Sequence, residues 1–145
     1  MSAANEAVVM AYLDLSWNTG KFHLIRNFLA PNFHYKTTFA DDILDLEQYI
    51  EFVKTFRAAI PDLVIHVDEV MSKDDRVMTS ISFIGVIEKS IFGIPPSEKV
   101  ITFPAVSMWS ISNGKICTLN TLIDISGIER QLNVNVDSDK PLDKR

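Results

Sequence analysis

One carboxylate has a setting in which it could do chemistry. Thr118, Asn120, Leu122 and Asp124 alternate along a β-patterned run, so strand geometry puts them on one face, a mostly apolar wall with an amide and an acid. Desolvation disfavours a charged carboxylate, and an acid held in apolar surroundings suits proton abstraction beside a carbonyl. The competing reading makes Asp124 the cap of a helix starting near Ile125. Against it, Ser126 and Glu129 already form a Ser-x-x-Glu capping box that frees Asp124 from the task. Asn120 either bonds a substrate oxygen or orients Asp124, or it is a surface amide if that face meets solvent.

Other polar groups carry weaker signals. Tyr35 shares a strand face with Phe33 and Thr37 and could project its hydroxyl into an interior, the alternative being packing with one satisfied hydrogen bond. Trp17 and Trp109 read as core or pocket wall. Ser80 and Ser82 share a face and could bond a ligand, yet no Gly-x-Ser-x-Gly elbow or adjacent base makes either a nucleophile. His23, His34 and His66 fall in three separate elements and compose no metal set. The single cysteine, Cys117, cannot form an internal disulfide and has no adjacent basic residue to activate it, so its role reads as structural.

These residues need a scaffold, and 145 residues can build one core, burying roughly 70% of the unfolded surface. A 47% hydrophobic and 23% charged composition is that of a globular chain. Fourteen basic against nineteen acidic residues give a net charge of -5 without a basic cluster, which argues against nucleic acid as a partner. Residues 1–10 lack the positive and apolar regions of a secretory signal, and no apolar run approaches the ~18 to 20 residues of a membrane span. A cytoplasmic location is expected, with no membrane partner.

Helical spacing predicts a first helix over residues 4–17, stopped by 18–20, and a short second one over 22–29 ended by Pro31. Residues 33–39 alternate as a strand. Asp45 and Gln48 form a capping box that opens the best-marked helix, which runs to Pro61. Four β-patterned runs follow, at 63–71, 77–88, 100–112 and 115–123, with Asn113-Gly114 as a type I′ hairpin turn. The fold class is therefore α+β, a curved antiparallel sheet packed on N-terminal helices and enclosing an apolar pocket. Gly85 and Pro104 are the expected bulges, and a single domain over 1–132 leaves a polar tail at 133–145.

Several strings then become familiar: WNTG at 17–20, LAPNF at 29–33, PDL at 61–63, FGIPPSEKV at 92–100 and NGKI at 113–116, followed by Asp124 and by Arg130-Gln131-Leu132. Together they resemble the SnoaL-like polyketide cyclases, also described as ester cyclases, of the nuclear transport factor 2-like superfamily. The resemblance implies a cone-shaped sheet holding a small organic ligand, a homodimer formed through the sheet, and no cofactor or metal. It also implies that Asp124 is the general acid/base of an intramolecular ring closure. Where relatives often carry Arg this chain has Ser80 and Ser110, where they carry His it has Ile87, and where they carry aromatic residues it has Asn120 and Ile123.

Two functions follow. One is cofactor-independent acid/base cyclisation or isomerisation of a carbonyl compound, with Asp124 catalytic and Asn120, Tyr35, Trp109 and Ser80 binding substrate. The other is a binding module for an apolar ligand without turnover. An epoxide hydrolase on the same fold would need an Arg between two carboxylates, and no inward Arg is apparent.

Overall fold

The first helical signal becomes α1, Ser2–Leu13, prolonged by a π-helical turn at Asp14–Asn18 that brings Trp17 into the core. The structure is a computed structural model and describes residues 2–133; apart from Asn133, the expected tail lies outside the described residues. Gly20 then turns the chain at φ +66, where a Cβ would come within 2.8 Å of the Arg57 guanidinium. The second helix is shorter than its pattern: α2 covers Phe22–Ile25 and a 3₁₀ turn covers Arg26–Phe28.

Strand β1, Leu29–Thr37, begins four residues before the expected position and contains Pro31. Proline survives there because pairing is interrupted between Leu29 and His34, so no ladder bond needs its missing N–H. Phe33, Tyr35 and Thr37 are buried, the face that alternation assigns inward. A two-residue strand, β2 at Leu44–Asp45, adds to the edge of β1. Helix α3, Leu46–Ala59, starts at the expected capping box: the Gln48 N–H donates to Asp45 Oδ1 at 2.9 Å and the Asp45 N–H to Gln48 Oε1 at 2.9 Å. Its buried side carries Tyr49, Ile50, Phe52, Val53 and Phe56.

The remaining chain is the expected antiparallel meander: β3 Val64–Lys73, β4 Arg76–Val86, β5 Val100–Ser112 and β6 Lys115–Ile123. The sheet order is β2-β1-β6-β5-β4-β3. An all-antiparallel sheet is not what results, because β1 lies parallel to β6. The helices lead the chain back so that its first strand joins its last, leaving a mixed, unclosed sheet of six strands. Helix α4, Ile125–Leu132, closes the described chain.

The bulges are elsewhere than expected. Pairing of β4 with β5 is regular from Arg76 to Val86, through both Gly85 and Pro104. Gly85 is required by close approach instead, since a Cβ there would meet Ile60 Cγ2 at 2.5 Å. Pro104 stands just past the end of β6, the side on which its carbonyl meets the Asp124 N–H at 3.5 Å, so no ladder donor is lost. The register shifts fall at Val67/Glu69 in β3 and opposite Ser110/Ile111, where Cys117 is the extra residue of β6.

Candidate functional site

The sheet wraps a core whose centre keeps a cavity of about 10 Å³, room for about one water. Leu13 and Trp17 reach it from the N-terminal helix, Tyr35 from β1 and Tyr49 from α3. Ile81 and Phe83 come from β4, Ser107 and Trp109 from β5, and Leu119 and Thr121 from β6. Larger hollows, about 390 Å³ at the β3–β4 turn and about 510 Å³ between α1 and the hairpin turns, are open surface grooves. Of these three hollows, the inner cavity is the one that lies within the core.

Its polar groups are hydroxyls and two indoles. Ser107 Oγ and Thr121 Oγ1 share a hydrogen bond of 2.8 Å, and Trp109 Nε1 donates to Thr79 Oγ1 at 3.0 Å. The Tyr12 and Tyr49 hydroxyls bond each other directly, and the Tyr49 ring lies 4.6 Å from that of Tyr35. The chain's three tyrosines are thus gathered in one interior. Burial pushes all three phenols up, and for Tyr49 the neighbouring Tyr12 and Tyr35 add to the effect. Such groups stay neutral and act as hydrogen-bond donors, able to meet a carbonyl oxygen but not to withdraw a proton. Among the described residues, no Asp, Glu, His, Lys or Arg lines the cavity.

Of the residues singled out in the sequence, Trp17, Tyr35 and Trp109 line this cavity. Asn120 and Leu122 do not, since both are exposed on the outer face. Ile116 and Leu119 are both buried although their numbers differ in parity, because the extra residue Cys117 flips every side chain beyond it. The inward set is therefore Leu119, Thr121 and Ile123. Ser80 likewise stands on the outer face, between the inward Thr79 and Ile81 and opposite Val106.

Asp124 occupies the end of β6, with its side chain 44% exposed. Its Oδ1 accepts from the Gly127 N–H at 2.9 Å, which makes it the N-cap of α4. The expected Ser126–Glu129 box does not form the cap, because the helix begins at Ile125 and Ser126 is already within it. Any Cβ at Gly127 would stand 2.4 Å from Asp124 Oδ2, so that glycine makes room for the carboxylate. Arg130 approaches to 3.8 Å from the exposed side. Ile123 N–H donates to Thr38 Oγ1 at 2.9 Å, which places Asp124 at the same rim of the sheet as Phe39.

The sequence model of the SnoaL-like polyketide cyclase family matches residues 7–132. The chain belongs to that family. Three solved structures show what this SnoaL-like chain is similar to. A candidate SnoaL-like polyketide cyclase of Jannaschia sp. CCS1 has a TM-score of 0.80 at 21% identity, over 88% of this chain and 90% of that one. IdmH of Streptomyces antibioticus, a candidate polyketide cyclase, has a TM-score of 0.78 at 22% identity, over 90% and 99%. A SnoaL-like polyketide cyclase of Agrobacterium tumefaciens C58 gives 0.77 at 23%, over 88% and 97%. These likenesses bear out the nuclear transport factor 2-like α+β fold. No curated protein matches the chain. Among the described residues, no helix is long and apolar enough to cross a membrane.

Sequence reasoning missed Tyr12, Tyr49, Ser107 and Thr121 as a group. The two tyrosines were visible only as members of helical apolar stripes. Thr121 would have stood out had the β6 parity been reset at Cys117, and Ser107 faces it across the β5–β6 pair.

Proposed function

We propose that this SnoaL-like chain encloses a small, uncharged, largely apolar molecule of the oxygenated kind that the family name implies, and holds one of its oxygens through interior hydroxyls. The lining chemistry carries the reading: Tyr35, Tyr49, Ser107 and Thr121 supply hydrogen bonds, and the other six residues are apolar or indole. Pockets of this type orient a ligand with few polar groups and bind it by burial. Native mass spectrometry of the purified chain should recover such a molecule, and Thr121→Val should reduce its retention. A chain that captures nothing from an extract of apolar metabolites would overturn the proposal.

Asp124 supports a second reading, acid/base turnover of a carbonyl compound. It stands at the end of the last strand, the position the resemblance assigns to the general acid/base, with its carboxylate open to the rim. Asn caps helices as well as Asp, so Asp124→Asn keeps the α4 cap. The expected result is retained fold and ligand with turnover lost. Turnover that persists in this variant would leave Asp124 a cap and nothing more.

A homodimer through the outer sheet face is the third element of the proposal. Met71 faces Met78, Met78 faces Met108, and Val106 faces Leu122, so exposed apolar side chains form two adjacent rows, one across β3 to β5 and one across β5 and β6. Leu122, at 68% exposed, closes the row that runs from Ser80 through Val106, with Asn120 two residues before it on the same strand. Contiguous apolar patches of this kind mark interaction surfaces. Leu122→Glu should convert a dimer to a monomer in size-exclusion chromatography with light scattering, and an unchanged mass would remove this face as the interface.

A further inference from the structure

A cavity of about 10 Å³ cannot hold the ligand proposed above, so the aromatic packing around it has to open. The weak point is the connection between β4 and β5. Ile91 and Ile94 pin it: the Ile91 N–H donates to Ile94 O at 3.0 Å, the Ile94 N–H donates back at 2.8 Å, and both side chains are buried. Between them Phe92 is held at φ +51, a conformation that a bulky side chain adopts only against steric resistance. Gly93 follows at φ +82. Strain of this kind persists where something else holds it, and here the holder is aromatic.

The Phe92 ring stacks on Phe39 at 4.9 Å and 17° and on Phe52 at 5.1 Å and 21°, with Phe56 at 6.2 Å. These are near-parallel arrangements, whereas most ring pairs in the core are tilted or edge-on. Phe52 in turn touches Tyr35 and Phe56 touches Phe83, so Phe92 is one ring removed from the cavity lining. Phe92 and Phe39 are only partly buried, which puts this stack at the solvent side of the aromatic core. Phe39 also belongs to the rim that carries Asp124.

We infer that Phe92 is a built-in plug: its phenyl ring fills a stacking seat, formed by Phe39, Phe52 and Phe56, that a planar aromatic ring of the ligand takes when the Ile91–Ile94 turn swings out. The inference rests on the pocket reading and adds a seat, an occupant and a ligand shape to it. Expelling the plug relieves a strained backbone, and the incoming ring restores the lost stacking. The exchange therefore costs less than opening a core at any regular strand.

The experiment is a fluorescence titration with 2-naphthol, a flat neutral phenol, of the wild-type chain and of Phe92→Gly. Glycine adopts φ +51 without resistance, so the turn is kept and only the ring leaves. Affinity should rise about tenfold, because the binding-competent state no longer requires a ring to be expelled. Adding Phe39→Leu to Phe92→Gly should remove the gain. Equal affinity for wild type and Phe92→Gly, binding by neither, or a gain that survives Phe39→Leu each overturns the plug. Should Phe92→Gly fail to fold, Phe92→Leu, which cannot stack, carries the test with a gain of about threefold and the same reversal. A ligand recovered by native mass spectrometry from the wild type, with no gain in either variant, sinks the plug while leaving the pocket reading intact.

Discussion

Phe56→Ala should lower the stability of the chain by about 3–5 kcal/mol, the cost of emptying a buried aromatic site that cannot collapse. Phe56 is 2% exposed and stands within ring-contact distance of Trp17, Phe39, Phe52, Phe83, Phe92 and Phe103. Those rings come from the π-helical turn, from α3 itself, from two meander strands and from both loops at the rim. Phe83 and Phe103 are held by the β4–β5 ladder, so they cannot move inward to fill the space. Phe56→Leu, which keeps most of the volume, should cost less than about 1.5 kcal/mol. For a chain of this size, the alanine variant should melt roughly 10 °C lower or more. A loss under 1 kcal/mol in denaturant unfolding would mean that the ring cluster is not the keystone of the core.

The same cluster explains why the fold was more legible than the site. Local chemistry wrote several elements plainly: the Asp45–Gln48 box opens α3, and Asn113 and Gly114, at φ +53 and +75, turn the β5–β6 hairpin as an Asn-Gly pair does. What no local pattern carries is the pairing of β1 with β6, because it joins residues some 85 positions apart and depends on how the helices return the chain. Side-chain facing failed for a related reason. Alternation is reliable within an unbroken ladder, but one bulge at Cys117 reversed it for the whole end of β6, moving Asn120 and Leu122 outward and Thr121 inward. Asp124 was found by type and position, and its capping bond to Gly127 depends on where α4 begins. The interior hydroxyls were legible as residues but not as neighbours, since Tyr12, Tyr35 and Tyr49 meet only once α1 packs on β3 and β4 and α3 packs on β1.

That gathering of tyrosines gives the protein an expected alkaline limit. Phenols in an unfolded chain ionise near pH 10, whereas burial holds all three of this chain's tyrosines protonated to higher pH. Above pH 10 the unfolded state therefore binds fewer protons than the folded one, and linkage makes unfolding easier with every further rise in pH. The stability is fully present below the unfolded value near 10 and is lost as pH climbs from there toward the folded values. Each tyrosine contributes a slope of about 1.4 kcal/mol per pH unit, so the three together give roughly 4 kcal/mol per unit. Phenolate absorbance should stay absent above pH 10 and then appear in one cooperative step that coincides with loss of the folded circular dichroism signal. The Tyr12–Tyr49 pair allows a control, because replacing both by Phe removes two buried hydroxyls together and leaves neither without a partner. That double variant should keep neutral-pH stability better than either single change, each of which strands a buried hydroxyl at a cost of about 1–3 kcal/mol. It should also unfold at higher pH, with about a third of the alkaline slope remaining from Tyr35. A wild-type chain whose tyrosines ionise one by one near pH 10 while it stays folded would show that the hydroxyls reach water, and with it that the interior is already open to a ligand.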